Sequence, residues 1–208
     1  MKMKRVIYLF VLLLGTLSAA AQDKMYDSYD DLMKDLGDVA TTLHKSKRSI
    51  NQIYFSPGAD YEIYSEGNKE LTKYIKKRCF AVRLSDTLYV NLKHMKYKKY
   101  RFGNWYAQGQ IVGGNVYFQA QPLGQIASST LLPKEGSKLG GTVGDAINAS
   151  SLNVRVYYVI NPETGTADFV GKEKMNQLLS SSPALLEAFS QEESEGADVI
   201  GKYLDKLK

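Results

Sequence analysis

The sequence is poor in the residues that most often carry nucleophilic catalysis and metal binding, because it has one cysteine, Cys79, and two histidines, His44 and His94. One cysteine cannot form an internal disulfide, so the folded chain must be held together by its hydrophobic core. Cys79 lies in the apolar run RCFAVRL, which predicts a small buried residue rather than a nucleophile. The histidines are far apart and neither has a second ligand at helix or strand spacing, so we predict no metal site.

Catalytic motifs are also absent from the sequence. There is no G-x-S-x-G elbow, and the serine triplet 180–182 precedes a predicted helix, where helix capping explains it. The acidic residues at 192–195 fall between two predicted helices, as expected of a solvated linker. We therefore predict no catalytic residue and no cofactor, and a non-enzymatic function. A hydrolase whose carboxylate pair meets only in the fold remains the alternative.

No apolar run is long enough to span a bilayer, which takes about 20 residues. The basic residues Lys2, Lys4 and Arg5 precede a shorter apolar run at 6–14 and the small-residue segment SAAAQ. This order predicts a secretory signal peptide, cut between Ala21 and Gln22. The residue after the predicted cut is not a cysteine, so we do not expect a lipid anchor attached there. We expect an exported protein, periplasmic or secreted, with residues 22–208 as a single domain and without a transmembrane anchor.

The charge is close to balanced. Removal of three basic residues with the leader reduces the 27 basic residues to 24, against 22 acidic ones, so no global basic field remains. A local excess is present at 69–101, where eleven lysines and arginines accompany only Glu70 and Asp86. This region ends in KHMKYKKYRFGNWY (93–106), which interleaves cations with aromatic residues.

That stretch has three interpretations. Nucleic-acid binding would pair cations with phosphates and aromatics with bases. Two observations disfavour it: the chain is predicted to be exported, and its sequence contains no recognised nucleic-acid module. An envelope glycan or an anionic lipid surface fits the compartment. The third interpretation is a sheet whose aromatics enter the core while lysines cover it. If the stretch binds a ligand, the candidate contacts are Tyr100, Arg101, Trp105, Tyr106 and Tyr117.

Hydrophobic periodicity predicts an α+β fold, with a central antiparallel sheet built from hairpins and helices packed on it. Apolar residues at three- and four-residue steps predict an N-terminal helix over 29–43. Alternation predicts two short strands within 51–63, a hairpin over 79–92 with six apolar residues on one face, and further strands within 100–118 and 154–170. Three C-terminal helices are predicted, over 172–179, from Pro183 and from about Gly196.

The segment 123–152 differs from the rest because it is rich in glycine, serine and alanine. We predict a flexible loop. The alternative is a small-residue helix that packs or self-associates through Gly136, Gly140 and Gly144, which would make the protein a self-associating structural protein.

The leader ending AAAQ, the strand LYVN, the hairpin RVYYVINPETG and the terminal helices together resemble a family of secreted, uncharacterised proteins from Bacteroidetes. The resemblance extends over most of the chain after the leader. It implies export and one domain with a small-residue insert, and it assigns no functional residue.

Overall fold

Twelve strands and six helices occupy residues 22–124 and 152–208, which are the residues that the computed structural model describes. The strands are β1 (Lys24–Tyr26), β2 (Asp38–Val39), β3 (Leu43–Lys47), β4 (Tyr61–Ser65), β5 (Ala81–Leu84), β6 (Thr87–Asn91), β7 (Lys96–Tyr97), β8 (Tyr100–Arg101), β9 (Tyr106–Val112), β10 (Asn115–Ala120), β11 (Val156–Asn161) and β12 (Thr166–Phe169). The helices are α1 (Tyr29–Met33), α2 (Ile50–Phe55), α3 (Lys69–Lys77), α4 (Lys172–Leu179), α5 (Pro183–Ser190) and α6 (Ala197–Asp205).

All strands belong to one sheet, in the order β2-β1-β5-β6-β9-β10-β11-β12-β7-β8, with the β3–β4 hairpin joined to β9. The pairs are antiparallel except for β7 and β12, which are parallel, so the sheet is mixed. The chain has the predicted α+β architecture. Among the described residues no helix is both long and apolar enough to cross a membrane.

The inner face of the sheet carries the largest hydrophobic cluster, here called the inner cluster. At its centre the ring of Tyr158 contacts the rings of Phe102 and Phe118, with centroids 4.8 and 5.5 Å away. The Tyr158 hydroxyl donates to the carbonyl oxygen of Gln121 and accepts from the amide of Leu123, so this buried polar group is satisfied. Four aromatic and apolar residues of 93–106 are buried, as the sheet interpretation predicts: Met95, Tyr97, Phe102 and Tyr106.

The outer face carries two separate clusters. The α3 cluster lies under α3 and the β3–β4 hairpin and includes Ile63, Ile75, Val82 and Tyr89. The C-terminal cluster lies under α4, α5 and α6. It buries, among others, Tyr117, Tyr157, Val159, Met175, Phe189, Ile200 and Leu204. The predicted packing of the C-terminal helices on the sheet is therefore seen. Within residues 22–124 and 152–208, no hydrophobic cluster covers the outer face between these two.

The predicted N-terminal helix over 29–43 is wrong. Helix α1 ends at Met33 because the backbone turns at Asp35, where φ is +52°, and then runs back so that β2 pairs with β1. Leu36 and Val39, which the periodicity assigned to a buried helix face, are 65% and 57% exposed. The segment Leu43–Lys47 is a strand paired with β4, so Leu43, at the end of the predicted helix, begins a strand.

The prediction of a strand at 51–55 is also wrong, because these residues lie in α2. Ser49 and Gln52 form a capping box: the Ser49 hydroxyl accepts from the Gln52 amide, and the Gln52 side chain accepts from the Ser49 amide. This local pairing satisfies the first amides of a helix and outweighs a short alternating pattern. The partner of β4 in its hairpin is β3 instead.

The 79–92 hairpin is present, but its apolar residues do not share one face. Val82 pairs with Tyr89 on the outer face, whereas Ala81 pairs with Val90 on the inner face. Both faces of these strands are covered, so alternation alone could not assign a single core. Two predicted segments lie outside the described residues: the leader at 1–21, which includes Ala21, and the small-residue segment except for residues 123, 124 and 152. Gln22, which follows the predicted cut, is exposed.

Candidate functional site

Three glutamines lie on the outer face, in the interval between the α3 cluster and the C-terminal cluster. Along β9 this face presents Tyr106, Gln108, Gln110 and Val112 in turn, because successive side chains of a strand point to opposite faces. Tyr106 belongs to the α3 cluster and Val112 to the C-terminal cluster, so the two glutamines occupy the interval between the covers. On the neighbouring strand β10, Gln119 faces the same way and pairs with Tyr157 of β11.

These side chains form the floor of a polar groove of about 520 Å³, within the roughly 300–1,000 Å³ typical of small-molecule sites. One wall is the β5–β6 hairpin and the other is the end of α6. The lining residues with side-chain polar groups are Arg83, Asp86, Thr87, Gln108, Gln110, Gln119, Tyr157, Asp205 and Lys208.

Hydrogen bonds fix the floor of the groove. The Tyr157 hydroxyl accepts from Gln119 Nε2 at 2.7 Å and from Gln110 Nε2 at 3.2 Å. Both amide groups are therefore turned with their nitrogens towards Tyr157, which leaves their Oε1 atoms as acceptors. The Tyr157 hydroxyl keeps its own proton for donation. Burial raises the pKa of Tyr157 above its ordinary value, against the lowering effect of the Gln119 hydrogen bond, so the hydroxyl stays neutral.

Helix α6 lies close above Tyr157 because it carries a glycine there. A Cβ atom at Gly201 would lie 3.1 Å from the Tyr157 hydroxyl oxygen. The absence of a side chain at this position brings the helix onto the sheet and leaves the hydroxyl of Tyr157 within reach of Gln110 and Gln119.

Few charged side chains reach the groove. Lys208 Nζ lies 2.7 Å from Asp205 Oδ1 in an ion pair. The Arg83 side chain turns to the inner face, where its Nε donates to the Tyr26 hydroxyl. The floor is uncharged and offers donors and acceptors, which suits a neutral ligand rich in hydroxyl or amide groups.

The residues predicted from the sequence as ligand contacts do not form one surface. Tyr106 and Tyr117 are 2% and 1% exposed, in different clusters, and the Tyr106 hydroxyl donates to the Ile75 carbonyl. Tyr100 is half-buried against the inner cluster, and Arg101 is exposed beside it on β8. Trp105 is half-buried, with the Arg48 guanidinium carbon 3.9 Å from its ring and its Nε1 donating to Ser56 Oγ at 3.2 Å.

Sequence reasoning missed the glutamine groove. The one available indication was the alternation of QGQ at 108–110 between buried neighbours, which places two amides on one face of a strand. Nothing in the sequence shows that β10, β11 and the end of α6 meet there. Among the described residues no group of three or more histidine, cysteine, aspartate or glutamate side chains is arranged to hold a metal ion.

Comparisons with known proteins give a family and no activity. No curated protein matches the chain, and no solved structure matches it. A family model described as a family of unknown function, DUF6563, matches residues 24–208, which is nearly the whole chain. The chain therefore belongs to the DUF6563 family.

Proposed function

We propose that this protein is an exported, non-enzymatic binding module of the bacterial envelope that holds a neutral glycan in the groove formed by Gln108, Gln110, Gln119 and Tyr157. The observation that carries the proposal is the pair of amides held by one tyrosine hydroxyl on the uncharged floor of the groove. Sugar hydroxyl groups can donate to the glutamine oxygens and accept from the tyrosine. The leader at 1–21 supports export.

The arrangement of the floor favours binding because it is fixed before a ligand arrives. Side chains already held in place lose little conformational freedom on binding, so more of each new hydrogen bond contributes to affinity. Gln119 and Tyr157 are directly opposite each other on paired strands, and Gln110 lies diagonally across β10. Three backbone strands thus set the spacing of the polar groups.

Hydrolysis is the competing function, because Asp86 and Asp205 both line the groove. A general acid is normally a carboxyl group in an apolar, desolvated environment, which keeps it protonated near neutral pH. The Asp205 side chain is 61% exposed and paired with Lys208, and Asp86 is exposed in the turn between β5 and β6. Neither environment is that of a catalytic acid, so binding without turnover is the better-supported function.

A glycan microarray tests the proposal with the purified protein, followed by calorimetric titration of the retained oligosaccharides. The variants Gln110→Leu and Gln119→Leu remove one amide each, and we expect each to weaken binding roughly tenfold, as for the loss of one hydrogen bond of about 1.4 kcal/mol. The matched control is Gln191→Leu, at an exposed glutamine next to α5, which should bind as the wild type does.

Two results would contradict the proposed function. Retention of no oligosaccharide, or equal affinity in wild type and both floor variants, would overturn the assignment of this groove. Release of new reducing ends from a bound oligosaccharide, abolished in Asp205→Asn, would replace the binding function with hydrolysis.

A further inference from the structure

Helix α2 presents an apolar side to solvent. Ile50, Tyr54 and Phe55 are 58%, 55% and 83% exposed, whereas Ile53 on the opposite side is buried. At about 100° per residue the three exposed side chains fall on one side of the helix, with Asn51 between them. An aromatic pair so exposed on a short helix is unusual for a surface that meets only water. We call Ile50, Tyr54 and Phe55 the α2 patch.

The α2 patch is held rigidly on the rest of the molecule. The residue after Phe55 is Ser56, whose hydroxyl accepts from Trp105 Nε1 at 3.2 Å. Arg48, just before the helix, lies over the Trp105 ring and donates to the carbonyl oxygens of Gln52 and Ser56, both at 2.6 Å. The exposed rings therefore project from a fixed helix and not from a loose loop end.

The two chain segments that meet at the α2 patch contain cations and no carboxylates. The acidic residues that follow α2, Asp60 and Glu62, are in ion pairs with Arg155 and Lys76. Residues 39–59, which contain α2, include no aspartate or glutamate, and neither do residues 87–105, which contain Trp105. The Lys45 ammonium donates to the Tyr89 hydroxyl in the α3 cluster. The other exposed cations of these two segments are Lys47, Lys96, Lys98, Lys99 and Arg101. Among the described residues none of these five makes an ion pair with a carboxylate.

The cations and the patch are connected through β8 and the turn after α2. Arg101 immediately precedes Phe102, and Gly58 lies so close to Phe102 that a Cβ atom there would be 1.7 Å from its carbonyl oxygen. The segment 56–59 therefore packs directly on 102–105. Arg101, which precedes Phe102, therefore lies near the turn after α2, and Lys98 and Lys99 form the turn of the β7–β8 hairpin to which Arg101 belongs.

From this arrangement we infer that the α2 patch and the surrounding cations form a peripheral binding surface for an anionic lipid bilayer. Tyrosine and phenylalanine side chains are suited to the boundary between headgroups and acyl chains, and lysine and arginine are attracted to anionic headgroups. The excess of positive charge favours this occupant over a second copy of the chain, because two such surfaces would repel each other. The inference is independent of the glutamine groove.

Vesicle flotation tests the inference with the purified protein, using phosphatidylcholine vesicles with and without 30% phosphatidylglycerol. All variants must be prepared with the same N-terminus, verified by mass spectrometry, since an uncleaved leader could itself insert into lipid. We expect the wild type to bind the anionic vesicles at least tenfold more than the neutral ones. The double substitution Tyr54→Ser with Phe55→Ser should reduce that binding at least tenfold, and Lys98→Gln with Lys99→Gln should reduce it and weaken its salt dependence.

The matched control is Leu36→Ser with Val39→Ser, a pair of comparably exposed apolar residues on the β1–β2 side of the sheet. This control should bind vesicles as the wild type does. An unchanged thermal unfolding temperature shows that a variant is folded. If the double substitution Tyr54→Ser with Phe55→Ser does not fold, the single substitution Phe55→Ser is used in its place. Equal binding to both vesicle types, or equal loss in the control, would overturn the inference. So would light scattering that shows a dimer in the wild type and a monomer in Phe55→Ser.

Discussion

Arg48 joins the segment 52–59 to Trp105 through one guanidinium group. It donates to the carbonyl oxygen of Ala59 at 2.7 Å and to those of Gln52 and Ser56 at 2.6 Å, and it stacks on Trp105. Burial lowers the pKa of Arg48 to about 10, which still leaves it charged at neutral pH. A charge at 5% exposure is tolerated because backbone carbonyls and an aromatic face replace its water.

Arg48→Ala should therefore lower the free energy of unfolding by about 3 kcal/mol, because the buried carbonyl oxygen of Ala59 and the part-buried ones of Gln52 and Ser56 lose the Arg48 donors, and the Trp105 ring loses the guanidinium stacked on it. Lys47→Ala, at the exposed neighbouring position, should change it by less than about 0.5 kcal/mol. Urea unfolding followed through Trp105, the single tryptophan, measures both. Equal costs for the two variants would show that the Arg48 contacts contribute nothing to stability.

Cys79 provides a pH-dependent test of burial. Burial raises the pKa of its thiol to about 11, from an ordinary value of 9.0. Between these values the folded state binds more protons than the unfolded state, so stability contributed by the neutral thiol is complete below pH 9 and falls as the pH rises towards 11.

Comparison of wild type with Cys79→Ala isolates that contribution, since the buried tyrosines titrate in both. From pH 7 to pH 10 the wild type should lose about 1 kcal/mol more stability than the variant. The measurement is the urea midpoint as a function of pH. Parallel curves for the two proteins would mean that the thiol is accessible to water in the folded state.

At the scale of elements, the turn after α2 depends on Gly58. Its φ is +136°, a conformation that side chains with a Cβ rarely adopt, and the added Cβ would overlap the Phe102 carbonyl oxygen. We expect Gly58→Ala to cost more than about 3 kcal/mol, because backbone atoms must move apart.

Gly67→Ala is the matched control. Its φ is +75°, yet no atom lies within 4 Å of the added Cβ, so only the conformational cost of about 1 kcal/mol applies. Thermal and urea unfolding of the two variants separate the steric term from the shared effect of alanine on the unfolded chain. A Gly58→Ala protein as stable as Gly67→Ala would show that α2 does not pack on 102–105 as described.

Elements with local turn chemistry could be predicted from the sequence, and elements defined by distant contacts could not. The 154–170 hairpin and α4 lie where the pattern places them, with Gly165 at a positive φ of +63° in the turn. The pattern at 29–43 matches a helix, but pairing of β2 with β1 and of β3 with β4 uses those residues as strands. Tertiary pairing outweighed local propensity there.

At the scale of the whole molecule, the groove is a gap in the hydrophobic packing of the described outer face, between the α3 cluster and the C-terminal cluster. It draws on β5, β6, β9, β10, β11 and α6. Segments that far apart in the sequence carry no common pattern, so the site could not be predicted from spacing.

The most direct test of the glycan site follows the side-chain amide resonances of Gln108, Gln110 and Gln119 by two-dimensional ¹H–¹⁵N NMR during titration with an oligosaccharide retained on the array. The account predicts that these three amides shift with one saturable affinity while the Trp105 indole resonance stays in place. Binding that shifts the Trp105 indole and leaves all three glutamine amides unchanged would contradict it.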